Sequence, residues 1–306
     1  MSAGPGAPYI GSAARPYCTR TAGPDKSRGP GLAFDYHHAI DRLRNIRMKH
    51  RFLPLCALVI LAACAVSPTG RHQLRLVSDT EMSQMGVTAF QQLKEKTPVT
   101  KDTRESAFVQ CVAHALTAQV PSSALTPASW EVQVFDSKEI NAFALPGGKI
   151  GVYTGLLKVA TTQDQLAAVI GHEISHVLAG HSASRVSNQM AAQFGGALIS
   201  AGTGLPPDAI GAGAQYLVLL PFSRGDESEA DILGMDLMAR AGFDPSQAIT
   251  LWQNMSKQAG QAPPELLSTH PSNTTRIADL QKNLPRDLPV YQQARGAGRK
   301  PNCGSA

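Results

Sequence analysis

Gly171-His172-Glu173-Ile174-Ser175-His176 sits in an apolar run that starts after Thr162, with Leu166, Val169, Ile170, Ile174 and Val177 around it. On a helix, residues four apart project from one face, so His172 and His176 can share one ligand. Burying three polar side chains in an apolar helix is costly unless something satisfies them, and a metal ion does. Neutral imidazole suits zinc, so one Zn2+ per chain is the expected cofactor. Glu173 lies beside His172, near that metal but not aimed at it, where it can act as general base toward water. A chance His-Glu-x-x-His on a solvated helix would have polar flanks; these flanks are apolar.

The third ligand has to come from elsewhere. A metzincin pattern would need Gly and His at positions held by Ala179 and Ser182, so that extension fails. His181 reads as a helix-end residue or a support behind the ligands. Residues 222–231 read Phe-Ser-Arg-Gly-Asp-Glu-Ser-Glu-Ala-Asp. Glu227 and Asp231, four apart on a predicted helix, face the same way. Glu227 can complete a His2Glu site that keeps an open position. Asp231 can accept the spare N–H of a ligand histidine and fix its tautomer. Glu229 points to another face and is the second choice. Taken alone, the segment also fits a solvated acidic face.

Together these segments resemble the HtpX/Oma/BepA-LoiP-type zinc metallopeptidases, relatives of the CAAX prenyl protease. Asn141-Ala-Phe-Ala-Leu-Pro-Gly-Gly148 looks like that family's edge strand beside the active-site helix. Thr269-His270-Pro271-Ser272 leading to Arg276-Ile277 looks like its C-terminal His-Pro motif. Thr69-Gly70-Arg71 and Leu76-Val77-Ser78 resemble the start of its periplasmic lipoprotein members. The resemblance implies ligands His172, His176 and Glu227, the base Glu173, and Asp231 supporting them from behind. It implies that His270 approaches the metal or stabilises an oxyanion, although His270 also fits a helix N-terminal cap. Arg276 would organise that loop. Asn141, Ala142, Phe143 and Ala144 would bind an extended substrate as an added strand.

The rest of the chain is consistent with an α+β fold. It would be a mostly helical, zincin-like (gluzincin) domain with a small β-sheet next to the active-site helix. Ser78 and Glu81 have capping-box spacing for a helix of about 15 residues. Residues 103–120 carry Phe108, Val109, Val112, Ala113 and Leu116 on one face. Residues 130–135 alternate as a strand, and 139–145 with 149–153 read as a hairpin around Pro146-Gly147-Gly148. Further helices are expected at about 225–241, 245–258 and 272–283. Residues 188–220 are apolar but broken by glycines and Pro206-Pro207. The domain should span 78–290, after a linker at 64–77 and before a loose tail at 291–306.

The N-terminus reads as an address. Met48-Lys49-His50-Arg51, the apolar run from Phe52 to Ala63 and Leu61-Ala62-Ala63-Cys64 describe a signal peptide with a lipobox at 48–63. Cys64 would then carry lipid, and residues 1–47 would be an upstream extension outside the true reading frame start. Ala65 is not the Asp that retains lipoproteins at the inner membrane. The expected location is therefore the bacterial periplasm, with the lipid anchor in the outer rather than the inner membrane. Cys111 and Cys303 could pair there. No Cys-x-x-Cys suggests a thiolate site. Residues 1–63 carry 9 Lys+Arg against 3 Asp+Glu, and the remainder 19 against 20, so the net charge of +5 belongs to the N-terminal segment. Nucleic acid is therefore not an expected partner. The expected function is zinc-dependent endopeptidase action on unfolded or misfolded envelope proteins. The alternative is a lipid-anchored chaperone or assembly factor with gated or little proteolysis.

Overall fold

The structure, a computed structural model, describes residues 64–124, 129–194, 221–258, 265–270 and 275–306. The signal segment and upstream extension lie outside these residues. So do most of the glycine-broken stretch at 188–220 and the His-Pro motif beyond His270.

The first helix, α1 (Asp79–Lys96), opens on the expected capping box: the Ser78 hydroxyl accepts from the Glu81 backbone N–H, and the Glu81 carboxylate accepts from Ser78. In α2 (Thr103–Thr117), Asp102 accepts from the N–H groups of Arg104 and Glu105, and all five residues of the expected apolar face are buried. A three-stranded sheet follows, with β3 (Glu131–Phe135), β4 (Ala142–Leu145) and β5 (Lys149–Tyr153) in the order β3-β5-β4. β4 and β5 are antiparallel, and β3 runs parallel to β5. Gly147 and Gly148 turn the hairpin at φ 82° and 71°, a region that favours glycine.

The central element is α3 (Gln163–Leu178), which is buried at every position from Gln165 to His176. Gly180 at φ 69° ends it, and α4 (His181–Phe194) starts at once. Next come α5 (Arg224–Ala241), α6 (Ser246–Gln258), the short α7 (Glu265–Thr269) and α8 (Arg276–Gly296). One core joins the sheet to α2, α3, α5 and α6; a second, smaller one lies under α1 around Phe90, Phe135 and Tyr153.

α3 and α5 pack closely because glycine faces glycine. A Cβ on Gly234 would stand 2.9 Å from the His172 backbone nitrogen, and one on Gly171 would stand 3.1 Å from the Gly234 carbonyl oxygen. Glycine inside a helix costs about 1 kcal/mol relative to alanine, so the pair is retained for the close approach it permits.

Two expectations are corrected. The segment expected as a linker is a small hairpin, in which β1 (Cys64–Val66) pairs antiparallel with β2 (His72–Leu74). Strands of three residues are too short for an alternation signal, and Pro68 and Gly70 read as a loop because they form its turn. The C-terminal segment is not loose. Instead of ending near residue 283, the last helix runs to Gly296 through Pro285 and Pro289. Beyond it, Cys303 is bonded to Cys111 of α2 at 2.08 Å. Gln163 also bridges Pro301 and Cys303: its amide donates to the Pro301 carbonyl, and its own carbonyl accepts from the Cys303 N–H. These anchors join residues remote in sequence, where no local pattern reveals them. Among the described residues, no helix is long and apolar enough to cross a membrane.

Non-reducing peptide mapping should recover Cys111 and Cys303 in one linked species. Replacing both by serine should lower the unfolding free energy by about 2–4 kcal/mol in urea denaturation, the usual effect of losing a long-loop disulfide.

Candidate metal centre

His172 and His176 meet from successive turns of α3, with their Nε2 atoms 3.0 Å apart. Ser223 caps α5 through its own capping box with Asp226, which places Glu227 in the first turn. Glu227 reaches His172 Nε2 with Oε2 and His176 Nε2 with Oε1, each at 3.4 Å. His270, just after α7, brings Nδ1 to 3.0 Å from Glu227 Oε1 and 3.3 Å from His172 Nε2. One ligand atom from each of these four buried residues lies within 4.8 Å of the other three.

This donor set fits a metal ion. Tetrahedral zinc with N and O ligands at about 2.0–2.1 Å puts neighbouring ligand atoms roughly 3.3 Å apart. Separations of 3.0, 3.4 and 3.4 Å among His172, His176 and Glu227 match that spacing. Burial opposes a charge on His172, but hydrogen bonds to Asp231 and Glu227 hold its pKa up to about 9. The carboxylates thus demand positive charge at this point, which a divalent cation supplies with both rings neutral. Burial would raise Glu227, yet hydrogen bonds from His172, His176 and His270 bring it far below the usual carboxylate range.

The residues around the four donors are equally specific. His172 Nδ1 donates to Asp231 Oδ1 at 3.0 Å. Arg276 joins two of the acidic residues of α5, donating from Nη2 to Asp231 Oδ1 at 2.6 Å and from Nη1 to Glu227 Oε2 at 3.0 Å. Its guanidinium lies over the Trp252 ring, 3.4 Å from the centroid. Glu173 is buried beside the cluster. Among the described residues its Oε1 has no hydrogen-bond partner, and it stands 3.4 Å from His270 Nε2. Burial pushes the Glu173 carboxyl up, against the pull of His270 and His172.

Glu229, the second-choice ligand, turns away from the cluster. It meets His181 Nε2 at 3.1 Å, and His181 Nδ1 lies 2.9 Å from His176 Nδ1. Phe222 and Arg185 are contributors that the sequence does not flag. The Phe222 ring stacks on His176 with centroids 3.8 Å apart, and the Arg185 guanidinium lies 3.9 Å from the Phe222 centroid. Phe222 directly precedes the cap of α5, but an aromatic before a cap reads equally as an ordinary staple.

At the expected substrate strand, Ala142 and Ala144 are buried and Phe143 joins Phe90, Phe135 and Tyr153 in an aromatic cluster. Asn141 precedes the strand, and its carbonyl accepts from Tyr153 N–H at 3.1 Å. The side chains therefore serve the core. β4 is an edge strand, with β5 as its one sheet neighbour among the described residues. What it offers a ligand is its backbone.

The model of peptidase family M48 matches residues 103–284, which include every residue of this cluster. The chain belongs to peptidase family M48. It is 38% identical over 176 residues to the fission-yeast (Schizosaccharomyces pombe) mitochondrial metalloendopeptidase OMA1, covering 57% of this chain and 52% of that protein. Over 237 residues it is 31% identical to the human metalloendopeptidase OMA1, covering 73% of this chain and 44% of that one. Over 223 residues it is 30% identical to the β-barrel assembly-enhancing protease of Escherichia coli K12, covering 69% and 45%. The chain thus spans about half the length of the relatives it matches. The resemblance to HtpX/Oma/BepA-type peptidases and the mostly helical zincin-like fold both hold for this M48 chain.

Gly234→Ala should force α5 away from α3 and carry Glu227 off the two histidines. A loss of about 1–3 kcal/mol in stability is expected, as for other overpacked contacts. The amount of bound metal, read by elemental analysis of the folded fraction, should fall with it.

Proposed function

We propose that this M48 chain is a zinc-dependent endopeptidase in which His172, His176 and Glu227 hold the metal and Glu173 is the general base. The observation that carries this reading is the convergence of those three ligands beside a buried carboxylate whose Oε1 has no hydrogen-bond partner among the described residues. Bound zinc would supply Lewis acidity to the scissile carbonyl and to water. Glu173 Oε1 is placed to take the proton from the attacking water and return it to the leaving amine. Asp231 and Arg276 hold His172 and Glu227 in their ligating orientations. Among the described residues β5 is the one strand beside β4, and the other edge of β4 would pair with an extended peptide, reading little sequence, which favours unfolded segments as substrates.

The wider reading is protein quality control in the bacterial periplasm, on a lipid anchor at Cys64 in the outer membrane. The signal-like run before Cys64 and the Cys111–Cys303 bond, which suits an oxidising compartment, support that location. So does similarity to a protein named for β-barrel assembly, whereas other relatives carry the name mitochondrial.

The position of His270 favours a second reading. Its Nδ1 lies among the ligand atoms, where a fourth ligand would close the position water needs. The chain would then bind clients and cut rarely until His270 leaves. His270→Ala should raise peptide turnover if His270 gates the centre and lower it if His270 stabilises the oxyanion.

Glu173→Gln should keep its zinc and cut casein about 10²–10⁴-fold more slowly, the span of general-base contributions. Undiminished cleavage would remove Glu173 from the mechanism. Only ionised Glu173 can accept the proton, and burial raises its pKa. The wild-type rate should therefore fall as pH drops through a value above the ordinary carboxylate range.

A further inference from the structure

The two histidines of α3 are supported in different ways. His172 leans on a carboxylate directly, through Asp231. Among the described residues, His176 has no carboxylate at its Nδ1. Its Nδ1 faces His181 Nδ1 at 2.9 Å, and His181 Nε2 faces Glu229 Oε2 at 3.1 Å. Glu229 in turn is held by the turn of the N-terminal hairpin. Thr69 donates to its Oε1 from the backbone nitrogen at 3.1 Å and from the hydroxyl at 2.6 Å, and Arg71 Nη1 donates to Oε2 at 2.9 Å. Arg71 also bridges to Asp226 at 2.9 Å. His181 and Glu229 are buried, and the outer end of the chain, at Thr69 and Arg71, reaches the surface.

Hydrogen-bond directions along this chain follow from its ends. The Glu229 carboxylate can only accept, so His181 Nε2 carries the hydrogen. A neutral His181 then has a bare Nδ1, which accepts from Nδ1–H of His176. His176 is left with its lone pair on Nε2, the atom that faces His172 and Glu227. The reverse arrangement would put a hydrogen where the metal must sit.

We infer that Glu229, acting through His181, is a positioning residue that sets the tautomer and ring orientation of His176, and that the Thr69–Arg71 turn of the N-terminal hairpin is a working part of the metal centre. The inference rests on the metal site proposed above. It also gives the hairpin a role beyond joining the domain to whatever precedes it: detaching its turn from Glu229 weakens metal binding at a distance.

The test is titration of zinc into the metal-free full chain against a chromogenic chelator, with the unfolding midpoint of each metal-free variant measured alongside. His181→Leu removes both hydrogen bonds and should raise the zinc Kd about 10–100-fold, as loss of such supports does elsewhere. His181→Asn keeps an acceptor near the position of Nδ1 and should recover most of that loss. Arg71→Met, at the exposed end, should raise Kd about threefold or more. Metal-free midpoints should stay near that of the wild type. The inference is overturned if His181→Leu and Arg71→Met bind zinc like the wild type, or if His181→Asn does no better than His181→Leu. Should His181→Leu fail to fold, Arg71→Met decides by the same criterion. A wild-type chain that binds no zinc would instead sink the metal site itself, and this relay with it.

Discussion

The closest approach of α3 and α5, glycine against glycine, is the constraint on which the rest depends. α3 carries two imidazoles and a carboxylate, and none of them makes a site without Glu227. Glu227 sits two turns before Gly234 on α5, so the distance between the helix axes sets how far its carboxylate reaches. With Gly171 and Gly234 in contact, Glu227 stands 3.4 Å from both rings. A side chain at either glycine would occupy the space that lets them meet.

Such a site concentrates buried charge, and its stability depends on each group being answered. Burying an ion without a partner costs several kcal/mol, and removing one member of a buried pair leaves the other exposed to that cost. Arg276 meets this demand for two carboxylates at once, with Trp252 as a flat support. Phe222 stacks on His176, with Arg185 over its ring. Among the described residues, Arg276 Nε and Glu173 Oε1 are left without a hydrogen bond, and of the two only the Glu173 oxygen can accept a proton. A group in that condition is poorly placed for stability and well placed to receive a proton, which is what a general base requires.

The elements around the centre tie it to both ends of the described domain. The C-terminal residues are pinned to α2 by the Cys111–Cys303 bond and to the start of α3 by Gln163. The N-terminal hairpin is pinned to α5 by Glu229 and to α4 by the Ser187 hydroxyl, which accepts from the Leu76 N–H. Segments that look like linkers along the chain therefore brace the helices that carry the candidate ligands.

Local signals made much of this legible. The capping box at Ser78, the apolar faces of α2 and α3, and the Pro146-Gly147-Gly148 hairpin are written in residues a few positions apart, and those elements formed where the spacing placed them. His172, Glu173 and His176 were readable for the same reason, since one helical turn relates them. Glu227 was readable only as a candidate, because its i,i+4 relation to Asp231 says which way it faces and not what it meets. Packing decided the remainder. It sent Glu229 to His181 rather than to the cluster, brought His270 in among the ligand atoms, laid Arg276 between two carboxylates and joined Cys111 to Cys303. The sequence by itself determined which side chains share a helix face, because helical periodicity is a local property of the chain. Only the tertiary structure decided which faces meet, because that depends on contacts between residues tens to hundreds of positions apart.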